Sequence, residues 1–534
     1  MSPEPIVTIK QGVLKGQTEK TKSGVEFNSF LGIPYAQPPI GELRFKAPQP
    51  PKPWQGIRQA TKEGNICYHK DVLFELTTGS EDCLYLNVFT PKLPNVPNTE
   101  KGLPVMVWFH GGGFMSGSGR RDFYGPEFMI DKGIVLVTMN FRLGSLGFLN
   151  LKDTSLGVLG NAALKDQNMA LKWVQMNIAQ FGGDPNNVTI FGESSGSASV
   201  CFHIVSPMGK GLFHKAIMQS GVASCVWAEG RMDSAYKLLE KLGKKADNDT
   251  HALKLLQAAP VEDLINAQLK VPDIWKPSYL RPFCPVIEKH DKTEELFLPD
   301  YPINLLKAGK YNKVPIIIGA TSGEGLIIKA LELRLKTNFT PKNDADFVPH
   351  NFRLQENPDK CAQIGQQIRE FYYGDQDPLY SAKSILYDYN TDAYFVRAIL
   401  DVAETIMRTS KEKVFMYQFC LKTKLNMFSS LVGATGKGTC HVDDLYYLFK
   451  SELTPDVAPN SIEENGVQRM TKWWTNFAKY SDPNGLGNDP LLSVKWINSN
   501  HNEMQYLEID KNIRLKSDYH KKYNDFWKSI ESTL

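Results

Sequence analysis

Residues 187–200 read Asn-Val-Thr-Ile-Phe-Gly-Glu-Ser-Ser-Gly-Ser-Ala-Ser-Val. Val188 to Phe191 is a β-branched and aromatic run, the pattern of a buried strand, and the small residues after it can start a helix. The turn between the two falls on Ser194, at the centre of a Gly-x-Ser-x-Gly pattern. Gly192 and Gly196 carry no Cβ to obstruct so tight a turn. A strand-to-helix turn of this kind strains the serine backbone and lifts its Oγ clear of the sheet edge, the placement a nucleophile needs. The five-residue pattern also occurs in ordinary loops, so the rest of the chain has to supply partners for Ser194.

Upstream, residues 80–91, 104–110 and 134–141 read as strands, the last two nearly all apolar and so buried on both faces. His110-Gly111-Gly112-Gly113 follows the second of these directly. Three glycines leave backbone N–H groups open to a ligand atom, and a loop in this position can supply oxyanion-hole donors, with His110 orienting it. Residues 161–182 carry an apolar stripe of Leu164, Leu171, Val174 and Ile178 at helical spacing, closed by Gly182 and Gly183. Strand, loop, strand, helix, strand, turn and helix in alternation predict a mainly parallel sheet covered on both faces. Before this unit, the first sixty residues alternate short strand signals with the Pro34, Pro38 and Pro39 segment, and predict an antiparallel edge leading into the main sheet.

Downstream, residues 215–221 and 314–319 continue the sheet, and residues 228–312 between them predict helices and loops inserted above the strand ends, where α/β enzymes bind ligands. The polar loop at 320–325 projects Glu324 on the same edge as Ser194; a glutamate there is either solvated or catalytic. Residues 326–409 are again helical around a loop at 338–352, and 414–420 is the last clear internal strand. For a serine on such a turn the base follows nucleophile and acid in chain order, which leaves His350, His441, His501 and His520. Only His441 sits on a loop just beyond a core strand. His350 falls in the inserted region, His501 in an Asn-rich turn, and His520 in a terminal amphipathic helix. Near the C-terminus, Ser461 and Glu464 form a capping box for a helix whose buried stripe is Val467, Met470, Trp474 and Phe477.

The whole chain, residues 1–534, shows no linker, charge block or repeat and reads as a single elaborated domain. A net charge of +3 spread over 61 basic and 58 acidic residues offers no footprint for nucleic acid, so the expected partners are small molecules. No uninterrupted apolar run of ~18 residues marks a membrane span. The N-terminus passes straight into a strand-like run, which predicts an intracellular, cytoplasmic protein. The sequons at Asn187, Asn248 and Asn338 matter only in the alternative case, a secreted protein whose signal has been removed. Eight cysteines in this length make no disulfide scaffold, and without Cys-x-x-Cys or Cys/His spacing they indicate no metal. Cys67 and Cys83 are close enough to suggest a clipped loop, although in a reducing cytosol they would stay thiols. Oligomeric state is left open.

The chain resembles the type-B carboxylesterases and cholinesterases of the α/β-hydrolase superfamily. The resemblance runs from about residue 5 to 530 and rests on GIPYAQPP, GELRF, EDCLYLN, HGGGF, NFRLG, KDQNMAL, FGGDP and FGESSG in order, with the Glu324 and His441 loops. FYGPEFMI and HVDDL are most like insect detoxification-type carboxylesterases. The resemblance implies Ser194 as nucleophile, His441 as general base and then acid, and Glu324 as the carboxylate that orients His441. It implies an oxyanion hole of the Gly112, Gly113 and Ser195 N–H groups. It also implies that Trp227 and Phe283 line the acyl pocket, with Phe114 beside the oxyanion loop; the same rings also fit an ordinary aromatic core. No cofactor or metal is implied. The expected substrates are carboxylic esters, and organophosphates or carbamates the expected inhibitors.

Departures from the family pattern are specific. Position 195 is usually alanine and here is serine, while juvenile hormone esterases typically carry glutamine where this chain has Glu193. The cholinesterase choline-binding tryptophan is missing from DVLFELTTG, so quaternary ammonium substrates lose their main attraction. DNDTHALK lacks the cysteines of a second disulfide loop found in secreted relatives. A non-catalytic interaction protein on the same fold is the rival reading, and a poor catalyst that sequesters esters or organophosphates lies between the two.

Overall fold

The computed structural model describes residues 4–71, 76–94, 101–273, 276–289, 295–434 and 437–534. The segment from which the choline-binding tryptophan is missing lies partly outside them, at residues 72–75.

An 11-stranded sheet organises the chain. In chain order its strands are β1 (Gln17–Lys20), β2 (Glu26–Pro34), β3 (Tyr85–Thr90), β4 (Leu103–Phe109), β5 (Val135–Met139), β6 (Gly183–Glu193), β7 (Lys215–Gln219), β8 (Ile316–Thr321), β9 (Val414–Phe419), β10 (Tyr506–Ile509) and β11 (Arg514–Lys516). Across the sheet they run β11-β10-β9-β8-β7-β6-β4-β5-β3-β2-β1. The stretch from β5 to β10 is parallel, and β1 to β3 on one side and β11 on the other are antiparallel. The architecture is that of an α/β-hydrolase.

The apolar runs of the central strands serve two cores at once. Val105, Val107 and Phe109 of β4 face one core, while Met106 and Trp108 face the other; Ile190 and Phe191 of β6 divide in the same way. A strand buried on both faces leaves charged residues little place except its ends. Chemistry-bearing side chains therefore gather at the strand ends.

Helices α1 (Ala162–Asn177) and α2 (Ser195–Val205) flank β6 in sequence, and α3 (Arg397–Thr409), α4 (Ile462–Tyr480) and α5 (Lys521–Glu531) follow. Ser461 caps α4 by accepting from Glu464 N, while Glu464 Oε2 accepts from Asn460 N at 2.6 Å, one residue before the expected capping-box donor. His520 precedes α5 in a left-handed conformation, φ 47°, and belongs to the helix cap, not its body.

The N-terminal edge departs from expectation. Ile6–Ile9 and Gly12–Lys15 form a hairpin that pairs with Ile57–Gln59 in a separate three-stranded sheet, and the main sheet starts only at Gln17. Val7, Ile9 and Leu14 point inward and their neighbours outward, so the hairpin buries one face against the body as a small surface layer.

Several sequence motifs are structural clamps. Arg44 of GELRF forms a bidentate pair with Glu81 of EDCLYLN, both contacts at 2.6 Å. Arg142 of NFRLG pairs with Asp166 of KDQNMAL at 2.8 and 2.6 Å, fully buried. Buried arginine pairs of this geometry fix the loops that carry them, and losing one partner would strand a charge. Cys67 and Cys83 are joined in a disulfide with Cα atoms 4.8 Å apart, in place of the thiols a reducing cytosol would leave. Among the described residues, no helix is long and apolar enough to cross a membrane, and no cluster of His, Cys, Asp and Glu could hold a metal ion.

Candidate active site

Ser194 stands between β6 and α2 at φ 57° and ψ −125°, a conformation that costs a non-glycine residue strain. Close packing holds it there. Ser194 N donates to Gln219 O at 2.9 Å, and a Cβ on Gly221 would lie 2.6 Å from Ser194 O. A Cβ on Gly196 would come within 2.0 Å of Phe109 O, and one on Gly192 within 2.5 Å of Gly196 C. The two motif glycines are thus required because α2 starts hard against the end of β4.

The glycine loop after β4 lies beside this turn: a Cβ on Gly111 would sit 3.2 Å from Ser194 Cβ and 2.7 Å from Glu193 Oε2. Every carbonyl in the loop is tied down. His110 Nδ1 donates to Gly111 O at 2.7 Å, and the N–H groups of Met115 and Ser116 both donate to Gly112 O at 3.1 Å. Arg281 Nη1 donates to Gly113 O at 2.9 Å, and Gly144 N donates to Phe114 O at 2.8 Å. His110 stacks on Phe141 at 4.2 Å, and burial pushes its pKa down to about 4, so it donates as a neutral imidazole. The N–H groups of Gly112, Gly113 and Ser195 donate to no acceptor among the described residues. That leaves three donors clustered by the serine.

His441 is 2 % exposed and lies between two carboxylates. Its Nδ1 is 2.5 Å from Glu324 Oε2, whose other oxygen accepts from Thr321 N at 2.6 Å. Its Nε2 is 3.1 Å from Glu193 Oε1. Burial alone would lower the imidazole pKa, but Glu193 and then Glu324 outweigh it and hold His441 well above the ordinary histidine range. Burial raises the Glu193 carboxyl. Ser194 is half-buried, and its Oγ makes no hydrogen bond to His441 among the described residues.

Of the ring residues, Trp227 lies 6.4 Å from Phe114 and anchors its Nε1 on Tyr394 O at 3.0 Å. Phe283 is fully buried and shares none of these ring contacts, although its neighbour Cys284 packs its Sγ against Trp227 O at 3.7 Å. A ring not foreseen from sequence, Phe395, lies 5.8 Å from Trp227 and 4.8 Å from His441. It comes from a π-helical segment, Asp392–Val396, inside a region whose sequence shows only helical periodicity. A cavity of about 150 Å³ behind the Trp227 turn, touching Cys225, Ala228 and Arg397, does not reach Ser194.

Asp444 was also missed. It accepts from Gln219 Nε2 at 2.9 Å and Tyr417 OH at 3.1 Å, and burial pushes its carboxyl up to about 6. The acidic pair in HVDDL was its only signal. Asp443 beside it takes a different part, accepting from Cys440 N at 2.9 Å and bracing the loop that carries His441.

The assembled group is a serine on a strained turn, a buried histidine held by a glutamate, and a glycine loop beside the serine whose N–H groups at Gly112 and Gly113 have no acceptor among the described residues. It has the parts for acyl transfer. The chain matches the Carboxylesterase family over residues 3–527. It is 35% identical to juvenile hormone esterase of Tribolium castaneum over 95% of this chain and 88% of that one. It is 36% identical to esterase FE4 of Myzus persicae over 92% of this chain and 87% of that one. The structure of juvenile hormone esterase from Manduca sexta, with OTFP covalently attached, superposes with a TM-score of 0.89 at 30% identity, covering 99% of this chain and 100% of that one. The chain therefore belongs to the carboxylesterase family and is a carboxylic ester hydrolase.

Proposed function

We propose that the protein hydrolyses lipophilic carboxylic esters through an acyl-enzyme on Ser194. Once His441 Nε2 is unprotonated and turned toward Ser194, it takes the Oγ proton as Oγ attacks the ester carbonyl. Glu324 stabilises the imidazolium and keeps the tautomer with Nδ1–H. The N–H groups of Gly112, Gly113 and Ser195 stabilise the oxyanion, each worth roughly 2.7–4 kcal/mol in sites of this kind. The alcohol leaves with the proton held by His441, and water repeats the cycle to free the acid. The observation that carries this reading is the His441 Nδ1 to Glu324 Oε2 contact of 2.5 Å beside the strained Ser194. The Phe114, Trp227 and Phe395 rings offer an apolar acyl wall.

The role is detoxification of xenobiotic esters or turnover of lipid esters. Juvenile hormone esterases among the relatives favour the lipid-ester side, whereas Glu193 in place of their usual glutamine favours the general detoxification side. An organophosphate or carbamate would modify Ser194, since a phosphoryl group imitates the tetrahedral species. The Cys67–Cys83 bridge favours an oxidising compartment and so the secreted alternative over a cytoplasmic one. A burst assay with a chromogenic ester tests the core of this reading. A stoichiometric burst followed by turnover, both abolished by Ser194→Ala, is expected; a burst with negligible turnover would make the protein a sequestering one, and Ser194→Ala indistinguishable from the parent would overturn the nucleophile assignment.

A further inference from the structure

Among the four carbonyls of the loop Gly111 to Phe114, three are tied by groups that lie close in sequence or on the loop's own support. The fourth, Gly113 O, is held by Arg281, which comes from the inserted region 168 residues away. Arg281 is 3% exposed, and its other donors form a bidentate pair with Asp273, Nε to Oδ1 at 3.0 Å and Nη2 to Oδ2 at 2.6 Å. Its backbone is fixed as well: Arg281 N donates to Glu229 O at 3.2 Å, and Arg231 N donates to Arg281 O at 2.9 Å. The guanidinium is therefore aimed before it meets the loop.

The residues it steadies are conformationally demanding. Gly113 has φ 61° and Phe114 has φ 63°, and the Gly113–Phe114 peptide links the two. A left-handed phenylalanine reverts easily unless its surroundings prevent it. If the Gly113–Phe114 peptide swung free, the two left-handed residues could relax, and the loop that sets the direction of the Gly113 N–H would lose its shape.

We propose that Arg281, locked by Asp273, is a positioning residue for the oxyanion loop, so that the inserted region holds the hole in shape as well as covering it. This rests on the reading of Ser194 as nucleophile and of the Gly112 and Gly113 N–H groups as oxyanion donors. A planar guanidinium can grip Asp273 with two donors and still give a third to Gly113 O; a lysine cannot do both with the same geometry.

The test compares Arg281→Lys, Arg281→Met and Asp273→Asn with the parent for kcat and KM on a short-chain chromogenic ester, and for the rate of Ser194 phosphorylation by a dialkyl aryl phosphate. A loose hole penalises tetrahedral species and leaves ground-state binding alone. Arg281→Met is expected to lower kcat and the phosphorylation rate together by about 10- to 100-fold, with KM within about threefold. Arg281→Lys should recover part of that loss and Asp273→Asn should show a smaller one. Circular dichroism confirms the fold, and the two milder variants carry the test if Arg281→Met does not fold. Folded Arg281 variants with kcat within about twofold of the parent, or with KM raised and kcat unchanged, would overturn the proposal. Ser194→Ala separates the two layers: residual turnover in that variant sinks the nucleophile reading, whereas an inert Ser194→Ala beside fully active Arg281 variants sinks only this one.

Discussion

His441 Nε2 lies 3.1 Å from Glu193 Oε1, while its Nδ1 lies 2.5 Å from Glu324 Oε2, so a single imidazole is held between two buried carboxylates. In the proposed mechanism the Glu324 contact serves general-base catalysis. The Glu193 contact works against it at low pH, because a proton on Nε2 is stabilised by the carboxylate it faces and must leave before Ser194 can be activated. With three buried acids nearby, Glu193, Glu324 and Asp444, the site binds its proton more tightly than a histidine with one carboxylate partner would.

Glu193→Gln is therefore expected to move the acid limb of the kcat/KM profile to lower pH, by about one unit. The sign follows from the charge. Removing an anion beside Nε2 lowers the imidazole pKa, so the base becomes available at lower pH. A pH–rate profile on a neutral ester, with the parent alongside, reads it directly. A limb that stays in place or moves upward would show that the 3.1 Å contact does not govern the titration.

The sheet is legible because its strands are long apolar runs separated by helical stretches, and Ser194 stands out as a candidate because glycines bracket it at the end of such a run. Glu324 and His441 stand out as its proposed partners by their places on strand-end loops. What the chain could not reveal by local pattern is what crosses it. Phe395 reaches His441 from a π-helical segment, Arg281 reaches Gly113 O from 168 residues away, and Glu193 faces the histidine only once the turn at Ser194 is folded. The hairpin Ile6–Lys15 carries the same alternation as an edge strand, and only its packing on one face separates it from the main sheet.

Ser195→Ala is expected to leave kcat and KM within about twofold of the parent. In the proposed mechanism the residue contributes its N–H to the oxyanion hole, and alanine retains that group. Its hydroxyl makes no hydrogen bond among the described residues, and the side-chain contact made to this position, Ser199 Oγ to Ser195 O at 2.9 Å, uses the Ser195 backbone. A tenfold change in kcat measured on the same short-chain ester would mean that the hydroxyl touches the reacting atoms after all.

Gly196→Ala tests the close packing of the turn. The added methyl would fall 2.0 Å from Phe109 O and 2.7 Å from His110 O, both backbone atoms at the strand end that leads into the glycine loop. Something must shift, and either the serine or the glycine loop moves relative to the other. A displacement of about 1 Å costs about 100-fold in such a site, so kcat should fall by at least that factor while the protein still folds. Near-parental kcat in a folded variant would contradict the crowded geometry.

His69 links the Cys67–Cys83 bridge to the segment just after the glycine loop. His69 Nδ1 donates to Cys67 O at 2.8 Å, and Gly117 N donates to His69 Nε2 at a long 3.5 Å. A disulfide spanning 16 residues restrains the unfolded chain by about 3 kcal/mol in the loop-entropy account. The link from His69 to Gly117, by contrast, is a weak hydrogen bond, since one at that length contributes little. The double variant Cys67→Ser/Cys83→Ser should therefore lower the thermal midpoint clearly while kcat stays within about threefold of the parent. Thiol titration of the denatured parent should find six free cysteines. Eight titratable thiols would mean an open pair, and a collapse of kcat with an unchanged midpoint would mean that the bridge acts on the loop and not on the chain.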